Sequence, residues 1–101
     1  MKHFLYLLLP PRATFMQDMT QTEAAVMQMH AAYWKGLMEA GQAIVFGPVA
    51  DPEGGYGMGV LELDDQLDPT TIGNADPAVK ANAGFSFEIH PMPRAVVRGS
   101  E

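Results

Sequence analysis

A chain of 101 residues is long enough for one domain and too short for two, and 48% apolar against 18% charged residues excludes a disordered segment. A net charge of −6 with only six basic residues, scattered along the chain, gives nucleic acid no polybasic surface to hold. The absence of cysteine excludes disulfides, thiol nucleophiles and thiolate metal sites, and suits a reducing, cytoplasmic setting.

The apolar run from Phe4 to Leu9 ends at Pro10 and Pro11. It is too short to cross a bilayer and has neither the core length nor the cleavage site of a signal peptide, so no membrane partner is expected. Phe4, Tyr6 and Leu8 alternate with Leu5, Leu7 and Leu9, the pattern of a strand covered on both faces. Residues 10–19 then read as a loop. Thr20-Gln21-Thr22-Glu23 is a capping box, and the Ala- and Met-rich stretch after it predicts a helix to Ala40, closed by Gly41. Val26, Met27, His30, Tyr33, Trp34, Leu37 and Met38 form one broad stripe on that helix.

Residues 42–49 predict a second strand, apolar on both faces, and Asp51 to Gly55 a turn. A third strand runs from Tyr56 to Leu63, where Gly57 and Gly59 on one face signal a close approach by another element. Residues 68–82 predict a broken second helix, with Asp68-Pro69 and Asp76-Pro77 as cap-plus-first-turn pairs and a break at Gly73-Asn74. A last strand is expected from Phe85 to Val97, with Pro91 and Pro93 marking an edge or a bulge.

The order β-α-β-β-α-β is that of a ferredoxin-like α+β unit, spanning residues 1–101 as a single domain. Two helices cover one face of a four-stranded antiparallel sheet and leave the other bare. The first two strands are apolar on both faces, so the bare face should meet a partner, most simply a second copy in a homodimer.

Two strings carry a resemblance: His30-Ala31-Ala32-Tyr33-Trp34-Lys35-Gly36-Leu37 followed by Gly41 and Phe46-Gly47-Pro48-Val49, and Asp76-Pro77-Ala78-Val79 followed by Phe85 to Met92. Together they resemble the YCII (YciI-like) family over nearly the whole chain. The resemblance implies a dimeric α+β barrel, two ferredoxin-like units packed sheet to sheet. It also implies a site made of the helix histidine, here His30, and the Asp-Pro aspartate, here Asp76, with lyase-like or dehydrohalogenase-like activity on small, often ring-shaped or halogenated molecules. Three features depart from the family pattern: no charge lies between Ala24 and Met29, Ala78 stands where a bulky aromatic is common, and the second helix is broken.

On an apolar stripe a lone histidine is often a packing residue, and an aspartate before proline is an ordinary helix cap. Both can still act, because a histidine exchanges protons near neutral pH once a carboxylate fixes its tautomer. The expected function is cofactor-free His/Asp general acid–base catalysis on a small molecule, an elimination (lyase) or isomerisation, with Tyr33 and Tyr56 as substrate-binding candidates. The alternative is a non-enzymatic dimeric module that binds a small ligand. His3 and His90 would meet if the first and last strands are neighbours, but they lack further ligands, so no metal is expected. No other cofactor is expected. Gly54 to Gly59 opens a strand and lacks a phosphate-loop lysine, so it is not a nucleotide loop.

Overall fold

The computed structural model describes residues 1–99. Its elements are β1 (Lys2–Leu9), α1 (Phe15–Asp18), α2 (Gln21–Glu39), β2 (Ala43–Val49), β3 (Tyr56–Leu63), α3 (Pro69–Ala75), α4 (Pro77–Lys80) and β4 (Ser86–Met92). The sheet order is β2-β3-β1-β4 with every neighbour antiparallel, the α+β, ferredoxin-like arrangement expected from the element order. β4 is an edge, which is why Pro91 is tolerated inside it. It stops at Met92, five residues short of the expected end.

The register places Tyr6 opposite Gly59 and Ile89, and Leu8 opposite Gly57 and Phe87. This face packs beneath the helices. Gly59 lies directly under the Trp34 ring and Gly73 of α3 directly against the Phe87 ring, so a side chain at either position would collide with an aromatic ring. The glycine signal in β3 therefore marks a close helix approach. In β2 a bulge between Ala43 and Val45 inserts one residue, so that Ala43 and Phe46, an odd number apart, both join the helix-covered face. The core gathers Tyr6, Leu8, Val26, Trp34, Leu37, Leu61, Leu63, Ile72 and Ala78. By alternation Leu5, Leu7, Leu9, Met58 and Val60 belong to the opposite face, beside a Val45 that is 46% exposed.

α2 starts as its sequence dictates. The Thr20 hydroxyl accepts from the Glu23 amide at 3.1 Å, the Glu23 carboxylate accepts from the Thr20 amide at 2.9 Å, and Gly41 turns the chain out at φ +77°. Two local expectations are corrected. Residues 10–19 are not all loop, because Phe15–Asp18 make one helical turn. That turn is pinned by Arg12, which forks onto both Glu23 oxygens at 2.8 Å and donates through Nε to Asp18 at 2.7 Å. Arg12 and the Thr20 amide together hold the Glu23 carboxyl down to about 2. The break in the second helical region falls at Asp76-Pro77, not at Gly73-Asn74. α3 runs through Gly73 because Phe87 fills the space beside it, whereas Pro77 disfavours helical geometry at the residue before it and Asp76 is extended, at ψ 125°.

Candidate functional site: a buried aspartate beneath a histidine-lined cavity

Asp76 is 0% exposed, yet it is a carboxylate, and a lone buried charge would cost several kcal/mol (on the order of the penalty for an unpaired ion). Four groups from three parts of the chain compensate it. Ala78, at the start of α4, donates its amide to Oδ1 at 3.0 Å. Tyr6 of β1 donates its hydroxyl to Oδ2 at 3.0 Å, and Trp34 of α2 donates its indole N–H to the same oxygen at 3.1 Å. His30 brings Nδ1 to 2.9 Å from both oxygens. His30 and Trp34 stand one helical turn apart, so a single carboxylate under α2 meets both rings.

Burial pushes the Asp76 carboxyl up. The hydrogen bond and charge of His30, the Ala78 amide and the Trp34 indole pull it down by more, and the net position is below the ordinary carboxylate range. Asp76 is therefore ionised at neutral pH. The same charge acts on its neighbours in the opposite sense. Burial and then Asp76 drive the Tyr6 phenol far above its usual range, and burial with Asp76 also raises Tyr33. Tyr6 is consequently a fixed donor and not a proton carrier.

With Nδ1 held by a carboxylate that only accepts, the neutral ring carries its hydrogen on Nδ1 and leaves Nε2 bare. Nε2 has no hydrogen-bond partner among the described residues. Every buried side-chain nitrogen and oxygen among the described residues is paired, so Nε2 is open to space. His30 lines a cavity of about 380 Å³. Leu8, Gly57 and Phe46 of the sheet form its floor, Met27 and Ala31 of α2 one wall, and Phe15, Met16 and Met19 in and beside α1 another. The Arg12 clasp thus holds a helical turn that the cavity needs.

The sequence-predicted residues divide here. His30 and Asp76 come together. Tyr56 lines the cavity; Tyr33 does not, and donates its hydroxyl to the Ile72 carbonyl at 2.8 Å, tying α2 to α3. Trp34 of the helix stripe packs against Tyr6 and also donates to Asp76. His3 and His90 do not meet: β1 and β4 are neighbours, but His3 faces Met92 and His90 faces Leu5. Each ring instead bonds its own carboxylate, Glu62 at 2.9 Å and Glu88 at 3.0 Å. Among the described residues no group of three or more His, Asp or Glu is placed to hold a metal ion. Sequence reasoning missed Tyr6 as a partner of Asp76. Its alternation signalled the covered face, but nothing local announced a carboxylate 70 positions away.

The family model of the YCII-related domain matches residues 5–93, a span that runs from Leu5 within β1 through all four helices to the end of β4. The chain belongs to the YCII family. No curated protein matches it. Within this YCII domain the two strings that carried the resemblance meet at Asp76, which pairs with His30 and Trp34 from 46 and 42 residues away in the chain. The three departures fall around the site and leave it standing. Ala78, in place of an aromatic, is fully buried and supplies the amide on Asp76, and the broken second helix places its break at the aspartate itself.

Proposed function

We propose that this YCII protein is a small-molecule enzyme that uses cofactor-free general acid–base catalysis, with His30 Nε2 as the proton-exchanging atom and Asp76 as the group that orients and charges the ring. The observation that carries this reading is the pairing of His30 Nδ1 with an ionised, fully buried Asp76 in a ring that lines an open cavity. A base so held has one tautomer, and the proton it gains from a ligand is stabilised by the carboxylate behind it. Nothing in that kit supplies a nucleophile or a redox centre, so elimination or isomerisation is the reaction class. In either, Nε2 takes a proton from carbon, then returns it to another atom or releases it as the leaving group departs with its electron pair. The setting we infer is cytoplasmic, and the chain has no helix long and apolar enough to cross a membrane among its described residues.

The test is deuterium wash-in. Carbon acids incubated with the protein in D₂O should exchange a C–H for C–D, and His30→Gln should slow the catalysed exchange by on the order of a hundredfold or more. A folded His30→Gln that exchanges as fast as the parent sinks the proposal. So does a ¹⁵N spectrum of the resting protein that places the hydrogen of His30 on Nε2.

The rival is a non-enzymatic binding module, favoured by one observation: apart from His30 and Tyr56 the cavity lining is apolar or glycine. It expects ligand binding with no exchange at any carbon.

We further propose that the protein works as a homodimer joined through the bare sheet face. Leu5, Leu7, Leu9, Met58, Val60 and the half-exposed Val45 would make a large apolar patch on a monomer. Light scattering should return about twice the 11.0 kDa chain mass at micromolar concentration. Val45→Asp should weaken that assembly, and a parent chain that stays monomeric and soluble removes the interface.

A further inference from the structure

The cavity's lining restricts its occupant more narrowly than the reaction class does. Among the described residues that line it there is no Lys, Arg, Asp or Glu; the ionisable side chains are His30 and Tyr56. Arg12 is the basic residue that reaches the neighbouring turn, and its guanidinium is already shared between Asp18 and both oxygens of Glu23. The charge closest to the exposed imidazole is Asp76. With His30 neutral, the pair carries one negative charge and repels an anion. With His30 protonated, the pair is a neutral ion pair, its positive charge already answered at 2.9 Å. A carboxylate or phosphate in this space would give up its water and find no cation of its own.

Size and hydrogen bonding narrow the ligand further. A cavity of about 380 Å³ is well above the roughly 150 Å³ that holds benzene and near the lower end of ordinary ligand sites. One or two rings fill it. Met16, Met19 and Met27 line that volume together with Phe15, Phe46 and Phe85, a deformable apolar wall suited to flat surfaces. The polar side chains of the lining are His30 and Tyr56, and since Nδ1 of His30 holds the hydrogen, its Nε2 can only accept.

We propose, resting on the acid–base reading above, that the natural ligand is an uncharged one- or two-ring molecule that presents one hydrogen-bond donor or one weakly acidic C–H to His30 Nε2, and that the site rejects carboxylates and phosphates of the same size. The same lining that makes this a poor site for an anion makes proton transfer between neutral partners favourable, because the charge that forms on the ring is matched by Asp76 and not by bulk water.

Three probes of nearly equal size separate the elements of this specificity: 4-methylphenol, neutral with a donor; 4-methylanisole, neutral without one; and 4-methylbenzoate, an anion. Binding is read by amide and methyl NMR shifts of cavity residues and by fluorescence of Trp34. That residue is the chain's one tryptophan, with its ring 6.3 Å from the His30 ring and 6.0 Å from that of Phe46. At neutral pH 4-methylphenol should bind on the order of tenfold or more tightly than 4-methylbenzoate and several-fold more tightly than 4-methylanisole. His30→Leu should erase the advantage over 4-methylanisole and leave the rejection of benzoate. Benzoate binding as tightly as the phenol overturns the proposal, and so does the failure of all three probes to shift cavity resonances at millimolar concentration. The resting His30 tautomer and the wash-in experiment report on the dyad alone. A correct tautomer with benzoate bound sinks the ligand class and spares the acid–base reading. A hydrogen on Nε2 sinks that reading and the donor requirement together.

Discussion

Two aspartate–proline pairs begin α3 and α4, and they make a controlled comparison. Asp68 and Asp76 are both extended, both precede a proline in the first helical position, and both accept the amide two residues on, at 2.9 Å from Thr70 and 3.0 Å from Ala78. Asp68 is exposed, and among the described residues that cap is the one hydrogen bond of its carboxylate. Asp76 is fully buried and accepts as well from Tyr6, Trp34 and His30. The dipeptide determines the cap in both. What turns one of them into a candidate site is the set of donors that the sheet and α2 bring from 70, 42 and 46 residues away.

The widest gap between the two should appear on truncation. Asp76→Ala leaves the Tyr6 hydroxyl and the Trp34 indole buried without an acceptor and should cost about 3–5 kcal/mol of stability by urea unfolding. Equal losses for Asp76→Ala and Asp68→Ala would erase the distinction.

Asp76→Asn should fall between. A carboxylate accepts on both oxygens here, from Ala78 on one and from Tyr6 and Trp34 on the other, so an amide must point its N–H₂ at a donor whichever way it sits. Asparagine caps a helix about as well as aspartate, yet here it cannot satisfy the other donors. We expect a loss of about 2 kcal/mol together with a shift of the His30 hydrogen away from Nδ1 in ¹⁵N spectra. Asp68→Asn should do neither.

Acid should sharpen the comparison further. The Asp76 carboxyl lies below its ordinary value in the folded chain, so its contribution is complete above that ordinary value and is lost as pH falls through it. Stability should therefore hold near neutrality and decline below about pH 4, and Asp76→Asn should show a shallower decline. Glu23, lowered to about 2 by Arg12 and the Thr20 amide, acts in the same direction over a window from 4.5 downward, and Glu23→Gln serves to separate the two. An acid limb unchanged by Asp76→Asn would mean that the carboxylate is not held in its charged form.

Smaller effects are expected from single donors. Tyr6→Phe removes one of the bonds to Asp76 while keeping the ring that packs on Trp34 and Phe87, and should cost about 1 kcal/mol. Asp68→Ala should be the mildest, at or below about 1 kcal/mol, the ordinary cost of an exposed helix cap.

Much of this architecture was legible in the residues because it rests on short-range physics. The capping box of α2 and its closing glycine, the alternation of β1 and the order of the elements each follow from interactions a few positions apart, and the family strings singled out His30 and Asp76. The tertiary structure alone decided the rest. Gly73, a helix breaker by propensity, stays helical because a ring from β4 occupies the space where a side chain would stand. Residues 15–18 form a turn because Arg12 reaches two carboxylates, one of them on α2. Tyr33 is drawn to a carbonyl of α3 and away from the cavity, and His3 and His90 are separated by a register that pairs neither with the other. Above all, periodicity announces that Tyr6 and Trp34 face inward but is silent on what they meet. Their shared acceptor is a charge that could be buried only once two distant parts of the chain, β1 and α2, had brought their donors to it.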